Sequence, residues 1–87
     1  MSQMGGDLEQ LASLRASLLE QAQVIEQLTG TVRRQLADTR WHGPAAERFR
    51  AAWAGDFEPT LRRLQGALQE AGVEVGRRRD ALQQAGG

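Results

Sequence analysis

Between Asp7 and Ala37 the chain has no proline, and its large apolar residues recur seven apart: Leu11, Leu18, Ile25 and Val32. Leu14 and Leu28 occupy the neighbouring heptad position and share it with Gln21 and Gln35. A half-buried strand alternates every second residue, whereas this spacing follows the turn of an amphipathic helix. A helix over about 7–38 is therefore predicted. Asp7 is placed as its N-cap, with Gln10 three residues on as in a capping box, and Gly30 is its one glycine.

A second apolar series runs from Pro44 to about Gln84, through Ala46, Phe49, Trp53, Phe57, Leu61, Leu64, Leu68, Ala71, Val75 and Leu82. From Phe57 onward the intervals alternate between four and three until Arg78 interrupts. The spacing predicts a helix over about 45–84. Pro59 falls inside it, where a proline removes one hydrogen bond and costs about 3 kcal/mol. The helix must kink near Asp56–Pro59 or restart there. Gly66, Gly72 and Gly76 each weaken it by roughly 0.5–1 kcal/mol. The Gly72-x-x-x-Gly76 spacing could mark a close helix approach, but that signal belongs to apolar membrane segments and the spacing is assigned to local flexibility; Ala85-Gly86-Gly87 is expected to fray.

Between the two series stands D-T-R-W-H-G-P. Gly43 can adopt backbone angles closed to other residues, and Pro44 at the first helical position lacks only an N–H that the helix does not need. Residues 39–44 thus form a tight turn, and two long helices joined so closely must lie antiparallel. One all-α hairpin domain over 1–87 follows, with arms roughly 45–60 Å long. Trp41 is placed to fold back over the turn, or to protrude into a partner, and Phe49 and Trp53 to share one helical face.

A lone hairpin buries one interface only, which is marginal for 87 residues. Its apolar stripe is also wider than one neighbouring arm requires, since Leu14, Leu19 and Leu28 flank the Leu11–Leu18–Ile25 line. The residues expected to fill the hairpin core and a dimer interface are Leu11, Leu14, Leu18, Ile25, Leu28 and Val32 from the first arm. The second arm supplies Phe49, Trp53, Phe57, Leu61, Leu64, Leu68 and Val75. Two such hairpins would form a four-helix bundle.

Arginine supplies all 11 basic residues and balances 11 acidic ones, so no basic surplus marks a nucleic-acid binder. Arginine in place of lysine, with many glycines and alanines, suggests a GC-rich genome. No stretch is apolar enough to span a membrane. Without cysteine there is no disulfide, thiol nucleophile or thiolate metal site. His42 is the lone histidine, with Asp38 and Glu47 in possible reach, and reads as a solvated turn residue. Asp56 and Glu58, two apart on a helix, point to different sides and read as capping or solvated charges. Arg77-Arg78-Arg79 reads as a complement to the helix dipole, with Glu70, Glu74 and Asp80 nearby. No catalysis, cofactor or metal is expected.

Trp41-His42-Gly43 at the bend of a helical hairpin resembles the signature of the WXG family, small substrates of type VII secretion systems. Ala45, Ala46, Phe49 and Trp53 extend the likeness to W-x-G-x-A-A-x-x-F-x-x-x-W, and the heptads extend it along nearly the whole chain. The resemblance implies homodimers or heterodimers of antiparallel hairpins. It further implies export from the cytoplasm without a cleaved signal, through a type VII secretion ATPase, and a role as substrate, export partner or targeting module. M-S-Q-M-G-G-D-L agrees in showing no Sec-type leader. Trp41 and Gly43 would be the motif residues, with Trp41 beside the partner's C-terminal region. The family's Y-x-x-x-D/E export signal has no counterpart, because the chain has no tyrosine: Val75 stands near the expected position and Asp80 five residues later. Three explanations stand: a heterodimeric partner supplies the signal, which is the preferred one, another C-terminal feature serves, or export is not this protein's role. An intracellular adaptor or targeting module for a toxin is the alternative.

Overall fold

The computed structural model describes residues 7–86; residues 1–6 and 87, which include most of the leader comparison and the last glycine, lie outside them. Two arms form an antiparallel hairpin 63 Å long and 17 by 15 Å across. Helix α1 spans Leu8–Asp38. Asp7 caps it, accepting hydrogen bonds from the backbone N–H groups of Glu9 and Gln10. The second arm comprises α2 (Pro44–Ala52), a π-helical turn (Trp53–Phe57) and α3 (Glu58–Gly86). Among the described residues there is no strand.

Gly43 is the one described residue with positive φ, at 110°, and Pro44 follows at the start of α2. A Cβ at Gly43 would meet no atom within 4 Å, so the requirement for glycine there is conformational and not spatial.

Pro59 neither breaks the arm nor restarts it. A proline normally presses its ring on the carbonyl four residues back. Here the preceding turn is one residue wider, and the Glu58 N–H reaches the Trp53 carbonyl. The wide turn also corrects the angular register. In a straight α-helix eight residues overshoot two turns by roughly 80°, and one extra residue takes back roughly 100°. Trp53 therefore keeps to the same side as Leu61, facing α1, while Phe49 keeps to the same side as Phe57.

The core is thin. Ala22 and Thr29 of α1, Ala46, Trp53 and Gly72 of the second arm are buried among the described residues. Leu11, Leu18, Ile25, Val32, Leu61, Leu68 and Val75 line the same seam half-buried. Thr29 satisfies its hydroxyl on the Ile25 carbonyl at 2.7 Å. The assignment of Gly72 to local flexibility is corrected. A Cβ at Gly72 would stand 2.7 Å from Leu19 Cδ2, and one at Gly76 would stand 2.9 Å from Arg15 Nε. Gly72 lets α1 approach α3 closely, which also gives Leu19 its cover, whereas Gly76 is met only by the movable end of the Arg15 side chain. Helix α3 extends to Gly86.

Candidate functional site

Five of the residues expected in the core or dimer interface are exposed: Leu14, Leu28, Phe49, Phe57 and Leu64. Val24 and Trp41 are exposed as well. At roughly 100° per residue, Leu14, Val24 and Leu28 lie on one flank of α1, about a quarter turn from its seam with α3. Phe57 and Leu64 occupy the corresponding flank of the second arm. Because the arms run antiparallel, these two flanks face the same way. Exposed Val73 falls on the other side of α3.

At the turn end the face is a ladder of aromatic rings. Trp41 and Phe49 have centroids 6.1 Å apart, and Phe49 and Phe57 have centroids 6.3 Å apart, both pairs tilted. The expected sharing of one face by Phe49 and Trp53 does not hold. Phe49 is 40% exposed and Trp53 only 8%, since Trp53 turns in against α1 and Phe49 turns along the open face. Trp41 is likewise 40% exposed and closes the turn only in part. His42 is exposed, and no hydrogen bond or ion pair of its side chain occurs among the described residues.

Arg50 holds the turn. Its guanidinium donates to the carbonyls of Trp41 at 2.7 Å, Leu36 at 3.0 Å and Thr39 at 3.0 Å, and lies 6.0 Å from the Trp41 ring centroid. Carbonyls at a helix C-terminus lack intrahelical donors, and a half-buried arginine supplies several at once. Sequence reasoning missed this residue. An arginine seven residues past a glycine turn is an ordinary surface residue until the hairpin closes.

Glu58 was also misread, as a capping or solvated charge. Its side chain is only 15% exposed and accepts bonds from three groups. Arg33 reaches Oε2 at 2.6 Å from α1, Arg62 reaches it at 2.8 Å from one turn on, and the Trp53 indole N–H reaches Oε1 at 2.8 Å. These bonds, the Arg33 one foremost and the Arg62 one next, outweigh partial burial and hold the carboxyl at a pKa of about 2, below its ordinary 4.5. The same contact raises the pKa of the Arg33 guanidinium. Asp56 remains exposed.

A polar cleft of about 260 Å³ opens beside this cluster, lined by Glu26, Thr29, Gly30, Arg33, Arg34, Arg62 and Gln65. It lies on the flank opposite the apolar face. The arginine triplet is not a helix-end device, because α3 continues beyond it to Gly86. Arg78 pairs with Glu74 at 2.7 Å, while Arg79 donates to the Leu8 carbonyl at 3.3 Å and fastens the open end of the hairpin. Among the described residues no three His, Asp or Glu side chains converge as a metal site. No described helix is long and apolar enough to cross a membrane.

The flank that carries the Trp41 ladder, Leu64 and, between exposed Gln21, Thr31 and Gln35, Leu14, Val24 and Leu28 of α1 is thus the surface best formed for a function. No family model matches the chain, and no curated protein or solved structure matches it either.

Proposed function

We propose that this protein acts by association through its apolar face, as a WXG-type substrate or export partner of a type VII secretion system, and not by catalysis. The observation that carries the reading is an exposed apolar face on a hairpin whose own core is thin. Clustered exposed apolar residues of this kind are used for association with a partner. A second helical hairpin laid on the face would complete a four-helix bundle and cover Leu14, Leu28, Phe57 and Leu64. Trp41-His42-Gly43 at the bend, followed by Ala45, Ala46 and Phe49, supports the family reading.

The partner is another WXG-type chain, identical or different, and the exported complex would engage the secretion ATPase. The protein would be cytoplasmic before export and secreted after it. Because the chain has no tyrosine, a heterodimeric partner would have to provide a Y-x-x-x-D/E signal. The test is expression in a host with an intact type VII system, alone and together with a second small W-x-G protein. The reading requires the protein in the culture filtrate, and its loss when the ATPase is inactivated. Persistence in the filtrate without the ATPase overturns it. An adaptor role inside the cell is the alternative reading, favoured if the protein remains in the cytoplasm bound to a larger effector.

A further inference from the structure

We infer that the polar cleft on the flank opposite the apolar face is a binding site for one phosphate group, held by the guanidinium groups of Arg33, Arg34 and Arg62 beside Gly30. The site is independent of the association reading, because a partner laid on the apolar flank leaves this side of the hairpin open.

Both arms build the cleft. Leu19 meets Gly72 and Arg33 meets Glu58, so residues whose numbers sum to 91 stand level across the hairpin. Arg62 is therefore level with Thr29, and Gln65 with Glu26. Gly30 follows Thr29 and has no side chain, so the wall there is bare backbone. The Arg34 side chain folds back over this gap: a Cβ on Gly30 would stand 3.4 Å from Arg34 Nη1. The Thr29 hydroxyl is committed to the Ile25 carbonyl at 2.7 Å, which leaves the arginines as the principal donors.

Two of the three arginines are already fixed in place. Arg33 commits Nε and Nη2 to Glu58, at 3.3 and 2.6 Å. Arg62 commits the same two nitrogens to Glu58, at 3.1 and 2.8 Å. Arg34 makes one long contact, 3.5 Å from Nη2 to the Thr31 hydroxyl. Among the described residues no hydrogen bond engages Nη1 of any of the three. Each Nη1 keeps its N–H donors for a ligand. Side chains ordered beforehand lose less freedom when that ligand binds.

Charge and shape select the ligand. Three guanidinium groups face two carboxylates, Glu58 beside them and Glu26 at the far end of the cleft, which leaves one positive charge for an anion. The donors approach from two helices. A tetrahedral oxyanion offers at least three oxygens to them together, where a carboxylate offers two. At about 260 Å³ the cleft falls just below the ~300–1,000 Å³ of sites for drug-sized ligands, which suits a phosphate ion or a small phosphomonoester. Glu26 forms no ion pair among the described residues, and with Gln65 level across from it would accept hydroxyl groups of such an ester.

The test is a titration of the full chain with inorganic phosphate at constant ionic strength, followed by amide-resolved nuclear magnetic resonance. The Gly30 amide and the Arg34 and Arg62 Nε–H signals should shift and saturate; no saturation by tens of millimolar phosphate overturns the site. Arg34→Ala removes only the Thr31 contact from the fold and should weaken phosphate binding roughly tenfold. Glu26→Gln should strengthen it by removing a like charge. Arg63→Ala changes the residue next to Arg62, roughly 100° further round α3 and away from the cleft, and should leave binding unchanged. Equal losses in Arg34→Ala and Arg63→Ala would show diffuse charge attraction and overturn the site. Acetate bound as tightly as phosphate overturns the assignment to a tetrahedral oxyanion. Glycerol phosphate bound more tightly than inorganic phosphate supports a phosphomonoester as the ligand, and equal or weaker binding supports the free ion.

Discussion

The Trp53 indole donates at 2.8 Å to Glu58, five residues ahead of it. That separation belongs to the π-helical turn. It brings a buried ring, the residue before a proline and two arginines from separate arms to one carboxylate. The point where a straight helix would fail thus becomes the principal polar link between the arms.

The Glu58 carboxyl titrates near 2 in the folded protein and near 4.5 when free. A carboxylate whose pKa is lowered by folding contributes stability that is present in full above about pH 4.5 and is lost as pH falls towards 2. Thermal melts across this range should show the parent chain more stable than Glu58→Gln above pH 4.5. The two curves should converge near pH 2. A difference independent of pH would assign the Glu58 effect to packing.

Arg50 donates to three carbonyls that close the turn. Arg50→Ala removes a donor from each, leaving the Thr39 carbonyl only the Trp41 N–H, and should cost about 2–3 kcal/mol in urea unfolding. Arg50→Lys should recover only part, since one ammonium cannot reproduce the spread of the guanidinium. Full stability in Arg50→Ala would show that water replaces the side chain.

Gly72 and Gly66 should respond oppositely to alanine. At Gly72 the new methyl would stand 2.7 and 2.9 Å from Leu19, forcing the arms apart at a cost of roughly 1–3 kcal/mol. At Gly66 it would meet nothing within 4 Å, and the helix should gain roughly 0.5–1 kcal/mol. Denaturant midpoints of the two variants check both signs.

Trp41→Ala separates surface from scaffold. Arg50 bonds the Trp41 backbone carbonyl, which the substitution keeps, and the ring packs mainly on Phe49. Helicity by circular dichroism should persist, with a stability loss of about 1 kcal/mol, while association and export fall. Loss of helicity would instead make the ring a structural closure.

Much of the architecture was legible in the residues themselves. Heptad intervals from Leu11 to Val32 and from Phe57 to Val75 mark two helices. Asp7 marks where the first begins, and Gly43-Pro44 marks the reversal. These are local properties: a period of about 3.6 residues, a side-chain oxygen beside free N–H groups, and a backbone angle only glycine adopts readily. What needed the tertiary structure were the relations between arms. Leu11 and Leu14 are equally apolar, and only the direction of α3 decides which one is covered. Gly72 looks like a weak point until Leu19 is seen over it. Glu58 and Arg50 look like surface charges until folding places α1's Arg33 and the ends of the turn beside them. Pro59 announces a disturbance, but whether the helix kinks, restarts or widens depends on which option keeps Trp53 against α1. The chemical identity of a residue determines what it can bond, and the approach of distant segments determines what it meets.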